Sequence, residues 1–114
     1  MDNTKEILKI AYEALAEKKA DDIKVIDISK ISTIADYFII TNGDNPLQVQ
    51  ALADNVTEKL AKAGVKPRSV EGMQSANWVL MDYNDIIINV FSKDDRKFYN
   101  LERIWGDGIF IEKI

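Results

Sequence analysis

The sequence predicts an α/β fold: a single domain over residues 1–114, with a mixed sheet of about five strands flanked by helices. Three observations lead there. A chain of 114 residues suits one domain and can bury roughly two thirds of its unfolded surface without a disulfide or metal. Segments of helical and of strand period alternate through its first half. Later, two β-rich runs meet at a short polar turn, which is the pattern of an antiparallel hairpin. A helical connection followed by a hairpin makes the sheet mixed rather than purely parallel.

The first element is a helix. Asn3 or Thr4 can cap it, and Ile7, Leu8, Ala11, Ala14 and Leu15 recur at helical spacing. Lys18 and Lys19 suit the negative end of its dipole, and Asp21-Asp22 breaks it. Ile23 to Ile28 is rich in β-branched residues and reads as a strand. Ser29 to Asp36 is a polar connection. Tyr37 to Thr41 is apolar nearly throughout, so it is a strand covered on both faces inside the sheet. Asn42 to Pro46 is a turn leading into a helix, with Asn45 as cap and Pro46 in the first position, where its missing N–H has no partner to lose. Val49, Leu52, Ala53, Val56, Leu60 and Ala63 form the apolar face of that helix, and Gly64 stops it.

Lys66 to Val70 reads as a short strand closed by Glu71-Gly72. The hairpin follows: Trp78 to Asp82, a turn at Tyr83-Asn84, and Asp85 to Phe91. A last helix from Asp94 or Asp95 to Trp105 places Phe98, Leu101, Ile104 and Trp105 on one face, and Gly106 ends it. Ile109 to Ile111 can add a short edge strand.

Composition narrows the chemistry. The chain has no cysteine and no histidine, and its net charge is −4. It therefore has no thiol nucleophile, no serine–histidine pair and no Cys/His zinc site. The acidity argues against broad nucleic-acid binding, which needs a basic face. The first residues contain no signal peptide, and no apolar run approaches the roughly 18 residues of a membrane span, so a cytoplasmic protein is expected. Neither the P-loop pattern nor G-x-G-x-x-G occurs. The Gly43 loop before the second helix carries Asp44, which fits a helix start better than a phosphate cradle. Of the carboxylate pairs, only Asp82 and Asp85 can converge, and a tight turn offers them no further metal ligand. Lys93, Arg96 and Lys97 read as a solvated face.

With Tyr83-Asn84 as the turn, Asp82 pairs with Asp85, Leu80 with Ile87 and Trp78 with Asn89. Trp78, Leu80, Asp82, Asp85, Ile87, Asn89 and Phe91 then share one face. Val79, Met81, Ile86, Ile88 and Val90 share the other, which is wholly apolar and reads as core. The first face mixes large apolar groups, carboxylates and an amide, as a partner-binding patch does. The bland readings stand beside it: Trp78 packs under a helix, and Asp82 and Asp85 only shape the turn. From the residues alone, no reaction is named.

Four segments carry a resemblance: DISKISTIADYFIITNGDN, the Glu71-Gly72 pair, WVLMDYNDIIINVF, and FYNLERIWGD, in that order. The match extends over nearly the whole chain, from about Ile7 to Gly108, and the combination of W-x-x-x-D-y-x-D with F-Y-x-L-E-x-[LI]-W is specific. In these the sequence resembles the ribosomal silencing factor family, also called Iojap-like proteins. The resemblance implies a nucleotidyltransferase-like fold. It also implies binding to the large ribosomal subunit through ribosomal protein L-fourteen, a block of joining with the small subunit, and an association with large-subunit maturation. The nucleotidyltransferases themselves use a Gly-Ser motif and D-x-D aspartates. Both are absent here, so no enzyme activity is expected. The family's tryptophan and aspartate match Trp78 and Asp82, its E-G matches Glu71-Gly72, and its F-Y-x-L-E matches Phe98, Tyr99, Leu101 and Glu102. Where many members carry histidine, this chain has Asn89, which can still donate and accept hydrogen bonds.

The expected partner-binding set is therefore Glu71, Trp78, Leu80, Asp82, Tyr83 and Asn89. No catalytic residue, metal or cofactor is expected, and neither DNA nor membrane is an expected partner. Two rival readings are a nucleotide-binding, nucleotidyltransferase-like module and a homodimer through the same apolar face.

Overall fold

The apolar stripe of the first segment forms α1, Thr4–Glu17, which buries Leu8, Ala11, Ala14 and Leu15 in a computed structural model that describes residues 3–112. Then follow β1 (Asp21–Asp27), β2 (Tyr37–Gly43), α2 (Pro46–Lys62), β3 (Ser69–Glu71), β4 (Trp78–Asp82) and β5 (Ile86–Ser92). The chain closes with α3 (Lys93–Tyr99), α4 (Leu101–Ile104) and β6 (Ile109–Ile111). Asn45 caps α2 as its sequence suggests: its Oδ1 accepts the Gln48 N–H at 2.9 Å, with Pro46 in the first turn.

The result is one α/β domain on a mixed, open, six-stranded sheet in the order β3-β4-β5-β2-β1-β6. Strands β2 and β5 run parallel, with α2 in the connection between them, and the remaining neighbours are antiparallel. Strand β2 is buried over its whole length, as the apolar run Tyr37 to Ile40 requires, and its polar Thr41 and Asn42 are buried with it.

Two cores sandwich the sheet. On one side α1 and α2 pack Leu8, Leu15, Leu52, Val56 and Leu60 against Val79, Met81, Ile86, Ile88 and Val90. On the other, the C-terminal segment packs Leu101 and Trp105 over Ile26, Phe38, Ile40, Ile87 and Phe91. The Trp105 ring lies 5.0 Å from that of Phe38.

The mixed sheet is as expected, and Ile109–Ile111, the edge strand the sequence allowed, pairs with β1 as its sixth strand. Several expectations are corrected. Strand β1 begins at Asp21 and β3 is confined to Ser69–Glu71. The hairpin register is displaced by two residues: Leu80 faces Asn89, Trp78 faces Phe91 and Asp82 faces Ile87. The turn moves one residue along, to Asn84-Asp85: Tyr83 continues the alternation of β4 into the α1/α2 core, and its N–H donates to the Ile86 carbonyl at 2.9 Å. A shift of two keeps the period of two, so the division into faces survives. The last helix is broken at Asn100, which adopts the left-handed conformation with φ 47°. Asn tolerates that region better than other non-glycine residues. The expectation for the Phe98 side chain lies outside the described residues.

Candidate protein-docking face

Registered strand neighbours point to the same side of the sheet, so the pairings sort residues into rows. One row runs Glu71, Leu80, Asn89 and Ile40, and the next runs Ser69, Asp82, Ile87, Phe38 and Ile26. Trp78 and Phe91 begin a third. All lie on the side that carries the C-terminal helices. Those helices bury Phe91, Ile87 and Phe38, but the β4–β3 end is left open: Trp78, Leu80 and Asp82 are half-buried, while Ser69 and Glu71 are exposed.

Trp78 is held in this border zone. Its ring stacks on Phe91 at 5.0 Å and tilts against Tyr99 at 4.7 Å. Its indole N–H donates to Asn89 Oδ1 at 3.0 Å. Both readings of Trp78 are thus partly realised, since it packs beside a helix and still presents surface. Asp82 also serves its turn: Oδ1 accepts the Asn84 N–H at 2.8 Å, and Oδ2 lies 3.7 Å from Arg68. The predicted pairing of Asp82 with Asp85 does not form. Among the described residues no cluster of carboxylates fit for a metal is present.

Two residues of the predicted set lie below the surface. Asn89 is 1% exposed, and Tyr83 is buried in the core on the opposite side of the sheet. Burial pushes the Tyr83 phenol above its ordinary pKa, against an opposing contribution from the Thr57 hydroxyl. The surface therefore consists of Trp78 and Leu80 as apolar groups, with Glu71 and Asp82 as anions. Sequence reasoning about the hairpin missed Tyr99, which is half-open and completes the aromatic cluster. Its signal was in the F-Y-x-L-E run, but nothing in the spacing places it over Trp78.

Lys93 and Lys97 are exposed, as a solvated face requires, but Arg96 departs from that reading. It is 8% exposed and ties the C-terminal segment to the sheet. Its Nε bonds Glu102 at 2.8 Å, and its Nη1 bonds Asn42 Oδ1 at 2.9 Å and the Asp21 carbonyl at 3.2 Å. Asp22 adds an ion pair at 3.4 Å. The planar guanidinium, with five N–H donors in a fixed fork, reaches these separate acceptors at once. No helix among the described residues is long and apolar enough to cross a membrane.

The family model described as ribosomal silencing factor during starvation matches residues 1–113. The chain is 45% identical over 105 residues to the ribosomal silencing factor RsfS of Bacillus subtilis, covering 92% of this chain and 89% of that protein. It is 29% identical over 107 residues to the chloroplastic protein Iojap of Zea mays, of which it spans 43%. A crystal structure of a Chromobacterium violaceum protein superposes with a TM-score of 0.89 at 40% identity, over 93% of this chain and 88% of that one. A second, from Bacillus halodurans, gives 0.85 at 35% identity, over 96% and 99%.

Proposed function

Because the chain belongs to the ribosomal silencing factor family, we propose that it is a translational repressor that docks on the large ribosomal subunit through ribosomal protein L-fourteen. By its bulk it then blocks joining with the small subunit. It acts in the cytoplasm, as a regulator rather than an enzyme, and a role in large-subunit biogenesis accompanies the silencing.

One observation carries the assignment of the surface: the uncovered end of the sheet, where Trp78 and Leu80 stand beside Asp82 and Glu71. Aromatic and aliphatic anchors ringed by charge are the usual composition of a protein interface. The two carboxylates suit a basic ribosomal protein and steer its approach. The same charges, on a chain of net −4, disfavour contact with ribosomal RNA phosphates. Tyr83 and Asn89 support the surface from beneath.

The test is co-sedimentation with purified large subunits. Trp78→Ala should weaken binding by about 2 kcal/mol or more, as loss of a central aromatic does. A folded Trp78→Ala protein that co-sediments like the parent would remove this face from the account.

A further inference from the structure

We infer that Asn89 is a positioning residue that occupies the Trp78 indole N–H inside the protein, so that Trp78 offers a partner only hydrocarbon surface. The inference deepens the docking reading above and rests on it.

Chemistry fixes the orientation of the amide. An indole nitrogen only donates, so the atom 3.0 Å from Trp78 Nε1 must be the Asn89 oxygen. The Asn89 NH₂ group then faces the Ile39 carbonyl of β2, at 3.4 Å. Asn89 is buried between Leu80 and Ile40 in its row, so the bridge is shielded from water. In strand terms Asn89 is the diagonal neighbour of Trp78, whose direct partner is Phe91. The ring is thus fixed from two directions: Phe91 and Tyr99 set its plane, and Asn89 sets which edge points inward.

Two consequences follow for recognition. A free indole at an interface normally needs an acceptor from its partner, because leaving that donor unmet is costly. Here the donor is already met, so the partner surface opposite Trp78 is an aliphatic recess without an acceptor, bordered by cations that meet Glu71 and Asp82. Because the ring is held before binding, docking loses less conformational entropy.

A double-mutant cycle on affinity for large subunits tests this. Asn89→Leu alone should weaken binding about tenfold, and Trp78→Phe alone should also weaken it. In the Trp78→Phe background, Asn89→Leu should add less than twofold, because both changes remove the same bond. Full additivity would overturn the inference. If Asn89→Leu does not fold, the parent protein supplies the answer. The Trp78 indole N–H resonance, assigned against Trp105→Phe, should exchange with solvent at least tenfold more slowly than an exposed indole. Exchange at the exposed rate would overturn the inference equally. Failure of the docking reading itself looks different: Trp78→Ala would then bind like the parent while the N–H stays protected.

Discussion

Gly72 lies directly against the backbone of Trp78. Its φ is +88°, and a Cβ on it would collide with the Trp78 carbonyl oxygen. The end of β3 therefore approaches the start of β4 more closely than any side chain permits, next to the proposed anchor. Gly72→Ala should cost about 2 kcal/mol of stability from backbone strain and overpacking together. Urea unfolding measures this, and the variant should also bind large subunits less well because the collision moves Trp78.

Arg96 ties α3 to the Asp21/Asn42 end of the β1–β2 pair through Asp21, Asp22 and Asn42, and to α4 through Glu102. Arg96→Met leaves the buried Asn42 oxygen without this donor and should cost about 3 kcal/mol. Hydrogen exchange should rise first in residues 93–112, because that segment loses its tie to the sheet.

Two groups give stability a pH dependence of predictable sign. Burial raises the Tyr83 phenol above its ordinary value of 10.0. Its contribution is complete below that value and is lost as pH rises toward the higher folded value. Asp27 is lowered below 3.8, chiefly by hydrogen bonds from the Ser29 hydroxyl and N–H. Its contribution is complete above 3.8 and is lost as pH falls through the lower folded value. Denaturation across pH should show the alkaline slope reduced in Tyr83→Phe and the acid slope reduced in Asp27→Asn.

Glu71 is exposed on the edge strand in the Leu80 row. Glu71→Lys should leave thermal stability unchanged and slow association with large subunits about tenfold at low salt. The difference should shrink as salt rises, since screening shortens the reach of the charge. Stopped-flow or surface-binding kinetics at two ionic strengths measure it.

The hairpin explains what the sequence made legible. Its two faces were readable because a strand's period of two survives a register shift of two residues. Its register was not, because it depends on whether Tyr83 turns outward at a tight turn or inward to the α1/α2 core. Leu101 and Trp105 were rightly placed on an inward face, but Ile104, read onto the same face, is exposed. The break at Asn100 was invisible, because helical spacing continues on both sides of a single left-handed residue. Arg96 shows the limit for charges. Nothing local distinguishes a buried arginine from its exposed neighbour Lys97 when the partners that tie it to the sheet, Asp21 and Asn42, lie 75 and 54 positions away. The resemblance to a family pointed to Trp78 and Asp82, but only the packing showed that Asn89 lies beneath them and Tyr99 beside them.

The central claim is that this domain keeps the ribosomal subunits apart from the face that carries Trp78. Light scattering of subunit joining, with large subunits pre-incubated with the protein before small subunits are added, tests it most directly. The account predicts that joining falls as the parent protein approaches saturation of the large subunit, while a folded Trp78→Ala variant at the same concentration leaves joining near its uninhibited level. Undiminished joining with the parent bound, or equal inhibition by both proteins, would contradict it.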